Sequence, residues 1–512
     1  MRTSQFITAV TSLLTLSLSA EVTLPSAFTD HMVLQRNQEN PIWGWAEPHE
    51  ELALSLAGIQ LSTTADAEGN WTTKLPALPA GGPHTLRISG SSEVLVDDVL
   101  SGEVWLCSGQ SNMQWPVTRS YGAEVEIVSA NRPRIRFLTV SRNGTALPQE
   151  NFDGCWNVCS PETVGDFSAI GYFYGKMLHE ALDVPIGLID NAWGGSSAES
   201  WVPRNTLESH ERYQPMLAHW DKRVASFDEE AYKAYLAKYN AWVAEGRPEP
   251  ALDWGETVHP ATGQHRPANI FNGMVNPIAG YGMKGVIWYQ GESNAARGEQ
   301  YLHLFPLLVE TWREIWGQGA FPFYWVQLAD FGSEPNEPGE DSWAELRDAQ
   351  TQAMDVIENS GQAVIIDIGE GRDIHPRDKK TVASRLVRWP LANDYGFDIS
   401  YLSPRYREMQ TDGNRIRIKF DHLSDQGLYA FDTKDIQGFC IAGADKKFIW
   451  AEAKIVAKDT VEVWAQSLED PVAVRYGWAK NPVVNLYDGN GLPVTPFRTD
   501  NWQWLSVGKV ID

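Results

Sequence analysis

Short apolar runs alternate with helical patterns through the middle of this chain. The runs are Val104 to Cys107, Ile135 to Val140, Pro185 to Ile189, Gly285 to Tyr289, Phe323 to Leu328 and Ala363 to Ile366. A run of this length, bounded by turn residues, reads as a strand covered on both faces. Among the helical segments between them, Phe167, Ile170, Phe173, Tyr174, Met177, Leu178 and Ala181 mark one apolar face. The alternation predicts an α/β fold, a mainly parallel sheet with helices on both sides. Ligands of such sheets bind beyond the carboxyl ends of the strands. The loops leaving these runs therefore hold the candidate chemistry.

Strand-rich segments flank this middle. Before about residue 100, Leu61 to Ala65 and Trp71 to Leu75 flank the turn Asp66 to Asn70, a hairpin pattern within a small β-sandwich. After about residue 391, Ile416 to Phe420, two short strands across Lys458-Asp459, and Val472 to Trp478 predict a C-terminal β-rich domain. Residues 205 to about 262 interrupt the alternation. They carry a helical stretch, Glu229 to Glu245, and a Pro- and Gly-rich tail, and read as a helical insertion, either a lid or a surface decoration. The expected organisation is residues 1–20 as a signal peptide, 21–100 as the N-terminal β-sandwich, 101–390 as the α/β domain and 391–512 as the C-terminal β domain.

The first candidate is the turn Ser108-Gly109-Gln110-Ser111-Asn112-Met113, which leaves the Val104 to Cys107 run. A serine held at a strand end is exposed at the sheet rim, as a nucleophile must be. The pattern is not Gly-x-Ser-x-Gly, because position 113 is methionine. The second candidate is Asp373-Ile374-His375-Pro376, after the last run. It offers His375 as the base for Ser111 and Asp373 to hold the imidazole tautomer. Trp193-Gly194-Gly195-Ser196 follows another strand, and its backbone N–H groups suit an oxyanion. The loop from Gln290 to Asn294 offers two side-chain amides to the same charge, with Glu292 as a carboxylate that orients its neighbours. Each of these turns can also be purely structural, as a helix cap, a strand-to-helix turn or a hydrogen-bonded loop.

Taken together, these segments resemble the blocks of the SGNH hydrolase superfamily, and more closely the sialate O-acetylesterase family with its Gly-Gln-Ser-Asn-Met signature. The resemblance extends over Gly102 to Pro116, Trp193-Gly194-Gly195, Asn272-Gly273-Met274, Trp288 to Asn294, Leu346 to Gln350 and Ile374 to Lys379. It continues through Val474 to Trp478 and Gly491 to Arg498. It implies an SGNH-type, flavodoxin-like sheet, Ser111 as nucleophile and His375 as base. It also implies oxyanion donors from Ser111, Gly194, Gly195, Gln290 and Asn294, and O-acetylated sialic acid or another acetylated glycan as substrate. The sequence departs from the frequent Asp-x-x-His spacing, because position 372 is arginine. Asp373 then serves, or Asp367 or Glu370, or a Ser–His dyad operates alone. An acetylxylan-type polysaccharide esterase is the alternative on the same machinery. A non-catalytic glycan-binding protein would require a replaced Ser or His, and both are present.

The formal net charge is -24 and the pI about 4.9, which argues against nucleic acid or an anionic membrane as partner. A sialate carboxylate would need a local cation, for which Arg119, Arg347 and Arg377 are conceivable. Arg2, the apolar segment Phe6 to Leu18 and Ser19-Ala20 have the layout of a signal peptide, so the chain is expected to be exported, periplasmic or secreted. Cys155 and Cys159 are close enough for a small-loop disulfide, whereas Cys107 reads as a buried thiol. No His lies at ligand spacing from the cysteine pair, so no metal site is expected, and the chemistry needs no cofactor. Oligomeric state is not legible.

Overall fold

The strand Glu93–Gly109 (β1) is the axis of the protein in a computed structural model that describes residues 21–249 and 257–511. Arg132–Thr139 (β2), Trp156–Cys159 (β3), Ile186–Ala192 (β4), Gly285–Tyr289 (β5), Phe323–Val326 (β6) and Ser360–Ala363 (β7) join it in one sheet. The order across that sheet is β7-β6-β5-β1-β4-β2-β3. Every neighbouring pair is parallel except β2 with β3. Successive side chains of β1 enter two separate cores. Val104 and Leu106 pack on one face of the sheet, and Trp105 and Cys107 on the other. Because both faces are covered, the strands read as continuous apolar runs rather than alternating ones.

The helices that cover the sheet follow from the same periodic patterns. Ala169–Leu182 (α2) comes after the four-residue turn of helix Ser111–Gln114 (α1), and the Ser168 hydroxyl caps it by accepting from Gly171 N–H at 3.1 Å. Gln214–Ala225 (α3) and Glu229–Ala244 (α4) form the expected helical insertion. Of the two, α3 buries Met216, Leu217 and Trp220, whereas α4, the helical stretch expected from the sequence, has no buried residue. Gly298–Trp316 (α5) and Ser342–Ala353 (α6) follow, then Lys379–Asn393 (α7), whose Val382, Ala383 and Leu386 lie in the second core.

At β1 the chain order of the sheet reverses. The connections from β1 lead through β2 to β4 on one side, and β5 to β7 lie on the other. Loops leaving β1, β4 and β5 therefore diverge around a crevice at their carboxyl ends.

β1 is not confined to this sheet. Its first half pairs antiparallel with Gly81–Ser89, and its middle pairs in parallel with Val33–Gln35. The expected break near residue 100 thus falls inside one continuous strand. In the N-terminal β region the hairpin expected across Asp66 to Asn70 does not form. Ile59–Thr64 pairs with Glu51–Leu56, and Asn70–Leu75 pairs with Asn40–Trp45. The Asp66 carboxylate takes the N–H groups of Glu68 and Asn70, so the turn carries the chain from one sheet to another.

The C-terminal region is β-rich, as expected. One sheet has Arg405–Asp412 beside Arg415–Asp421, and another has Phe439–Ala442 at its centre. β7 ends at Ala363, three residues before the expected limit, because Val364, Ile365 and Ile366 stay buried after leaving the ladder. Cys155 and Cys159 are not bonded. Cys155 is exposed, and the buried Cys159 thiol donates to the Ala130 carbonyl at 3.4 Å. Burial pushes the Cys159 thiol up to about 12. The proposed signal peptide lies outside the described residues. Among the described residues no helix is long and apolar enough to cross a membrane.

Candidate active site

Ser111 opens α1 immediately beyond the carboxyl end of β1, at the crevice between the β4 and β5 loops. Gly109 makes this placement possible. Its φ is +134°, and a Cβ there would lie 2.2 Å from the Tyr289 carbonyl oxygen. The chain can thus turn tightly against β5 before Ser111 emerges half-buried. As the first residue of a helix, Ser111 has a backbone N–H with no acceptor within α1. Its hydroxyl has no hydrogen-bond partner among the described residues.

His375 reaches the same rim from the loop after β7. Asn112, adjacent to Ser111, donates from Nδ2 to the carbonyl of Ile374, adjacent to His375, at 3.0 Å. Trp115, at the end of α1, stacks on the His375 ring with centroids 4.8 Å apart and planes 16° from parallel. Residues separated by more than half the chain therefore converge. Asp373 Oδ1 lies 3.2 Å from His375 Nδ1 and accepts from the His375 N–H at 2.9 Å. The other two acids are engaged elsewhere. Asp367 pairs with Arg385 at 2.6 Å, and Glu370 pairs with Arg377 at 2.9 Å. Burial holds the His375 imidazole below its ordinary value. Asp373 acts in the opposite direction, and Lys379 and Arg119 add to the lowering. The net effect favours the neutral imidazole.

The turn Gly194-Gly195 lies against the Ser111 turn. A Cβ on Gly194 would come 3.2 Å from Ser111 Cβ, so this glycine admits the close approach of the two loops. The Gly194 N–H donates to Gln114 Oε1 at 2.8 Å. The Gly195 N–H has no acceptor among the described residues, and its carbonyl accepts from Ser293 Oγ at 2.9 Å.

The chain superposes on a carbohydrate acetylesterase from Xanthomonas citri with a TM-score of 0.81 and 35% identity, covering 94% of this chain and 100% of that one. A family model described as carbohydrate esterase, sialic acid-specific acetylesterase, matches residues 101–236 and 263–368. The chain belongs to the sialate O-acetylesterase family. Sialate O-acetylesterases of mouse and human are each 28% identical to it. The match covers 92% of this chain in both cases, and 93% of the mouse and 91% of the human protein. The family match includes Ser111, Gly194 and Gly195 but stops before Asp373 and His375.

Within this esterase family member, the structure gives Gln290 and Asn294 a different place from that expected. Both side chains are fully buried. Gln290 Nε2 donates to Ser196 carbonyl at 3.1 Å and to Asn294 Oδ1 at 2.7 Å. Asn294 Nδ2 donates to Glu199 at 3.0 Å, and Glu199 in turn pairs with Arg297 at 2.9 Å. Their amide hydrogens clamp the β4 loop to the β5 loop and do not face the crevice. The sequence could not show this, because an amide at a strand end looks the same whichever way it turns.

The arginines also separate. Arg347 is fully buried and donates to the carbonyls of Leu328, Ala329, Ala479 and Lys480, which excludes it as a substrate contact. Arg377 pairs with Glu370 and lies over Tyr121. Arg119 is exposed beside Trp115, its guanidinium carbon 5.5 Å from the ring centroid, with no carboxylate partner among the described residues. Among the described residues no cluster of His, Cys, Asp and Glu could hold a metal ion. Three residues that position the site went unremarked in the sequence: Gln114, Trp115 and Lys379. Only their place inside the family-like segments signalled them.

Proposed function

We propose that this protein removes O-acetyl groups from sialic acids by a serine mechanism on an SGNH-type sheet. The observation that carries the reading is the joining of the Ser111 turn to the Asp373–His375 loop by the Asn112 to Ile374 hydrogen bond and the Trp115–His375 stack. His375 takes the Ser111 hydroxyl proton as the oxygen attacks the acetyl carbonyl. The Ser111 and Gly195 N–H groups, both unspent, receive the oxyanion, and Gly194 joins them if Gln114 turns aside. Each donor contributes about 3 to 4 kcal/mol. The sugar hydroxyl leaves with the proton from His375, and acetyl-Ser111 remains. Water activated by His375 then releases acetate. Catalytic hydrogen bonds of this kind tighten with substrate in place, which accords with the unpartnered Ser111 hydroxyl.

Arg119 supports a sialate as the substrate. In a protein of net charge -24, an exposed and unpaired guanidinium beside the candidate base is the local cation that a sialate carboxylate requires. It also edges a groove of about 380 Å³ with Thr118, Tyr121 and Arg377. Arg119→Ala is expected to lower kcat/KM for an O-acetylated sialic acid by about 10- to 100-fold, the worth of one charge-assisted hydrogen bond. Turnover of neutral p-nitrophenyl acetate should be unchanged. The second reading is an acetylated polysaccharide such as xylan, favoured by the broader carbohydrate acetylesterase name of the Xanthomonas citri relative. Acetate release from 9-O-acetylated sialic acid and from acetylated xylan, measured side by side, separates them. Preference for the xylan would overturn the sialate assignment.

The same proposal includes removal of residues 1–20 on export. It treats residues 21–100 and 391–512 as β units around the hydrolase domain of residues 101–390.

A further inference from the structure

Beneath the crevice lies a fully buried lysine. Lys379, the first residue of α7, has one hydrogen-bond acceptor for its ammonium among the described residues, Asn112 Oδ1 at 2.5 Å. The aromatic faces of Tyr289 and Trp115 lie 5.5 and 5.7 Å from Nζ. The nitrogen of the same Asn112 amide donates to Glu292 Oε1 at 2.5 Å and to the Ile374 carbonyl at 3.0 Å. Only one orientation of the amide satisfies a cation on one end and two acceptors on the other, so its flip is determined. Glu292 Oε2 is buried with no partner. An apolar pair in these positions would cost less to bury. The charged groups instead hold one amide between the residue after the nucleophile and the residue before the base.

We propose that Lys379 is a positioning residue which, through Asn112, fixes the His375 loop against the Ser111 turn. The inference rests on Ser111 and His375 being the reacting pair. The groups facing Lys379 are Glu292 from the β5 loop, Glu370, Asp373 and Asp378 from the loop before α7, and Asn112 from α1. Burial pushes the Lys379 ammonium down to about 7 and pushes the Glu292 carboxyl up. The charge of Lys379 also lowers His375, alongside Arg119.

Lys379→Met tests this, with p-nitrophenyl acetate as substrate. The expected result is a kcat lower by about 10- to 100-fold, as for an ångström-scale misplacement of reacting groups, with KM within about two-fold. The acid limb of kcat/KM should move up towards the ordinary imidazole range, because one cation near His375 is gone. If that variant fails to fold, Asn112→Asp keeps the shape and the Lys379 contact. It replaces the donor to Ile374 by a charge that repels Glu292, and the same loss of kcat is expected. A variant with lowered Tm but unchanged kcat and an unmoved acid limb overturns the proposal. Ser111→Ala, run in parallel, isolates this inference. An inactive Ser111→Ala with a fully active Lys379→Met rejects the lysine role alone, whereas an active Ser111→Ala rejects the underlying mechanism.

Discussion

Ser111→Ala is expected to lower kcat for acetyl ester hydrolysis by about 10⁶-fold, the cost of removing the nucleophile from a nucleophile–base unit. The fold should not notice. Ser111 is half-buried and its hydroxyl makes no hydrogen bond among the described residues, so the change leaves neither a large cavity nor an orphaned partner. The residual rate reflects what the Ser111 and Gly195 N–H groups and substrate binding achieve with water as nucleophile. Titrating acetate released from p-nitrophenyl acetate, with Tm recorded alongside, checks both halves. Undiminished turnover would remove serine chemistry from this protein.

His375→Ala should cost about as much, and Ser111→Ala/His375→Ala should cost no more than either single change, because the two act as a unit. Asp373→Asn should cost far less than the roughly 10⁴-fold seen for a buried triad acid. The Asp373 side chain is 51% exposed, so solvent screens its field at the imidazole. The loss expected is about 10- to 100-fold, the worth of one hydrogen bond to a charged group. The pH profile separates the two roles. His375 must be neutral to act, so kcat/KM falls as pH drops through its pKa. Burial lowers that pKa, and the acid limb should lie below the ordinary imidazole value of about 6.5. Asp373 opposes the lowering, so Asp373→Asn should move the limb lower still. A limb that moves up, or does not move, would mean that Asp373 does not act on this imidazole.

Much of this arrangement was legible because apolar runs report burial. Val104 to Cys107 and Gly285 to Tyr289 are covered on both faces; the second run is the strand itself, whereas the first is only the buried end of a strand that begins at Glu93. The turn chemistry at Gly109 was equally open to reading, since only a residue without Cβ fits that approach. What escaped was direction. Gln290, Asn294 and Arg347 are polar residues at strand ends and helix faces, and nothing in their order says that they bond inward. Likewise Asp66 to Asn70 has hairpin composition, and the partners of its flanking strands are fixed only by distant residues 40–45 and 51–56. Lys379 is the clearest case. A lysine opening a helix after a polar loop reads as solvated, and only the enclosing rings of Trp115 and Tyr289 show otherwise.

One feature of the backbone bears on how the enzyme can be rebuilt. The strand that ends two residues before Ser111 is seventeen residues long and begins, at Glu93, as a rung of the N-terminal β unit. That unit is therefore no detachable appendage. A truncation or graft near residue 100 would cut the beam that sets the height of Ser111, and a ligand pulling on the N-terminal unit would tug along the same line.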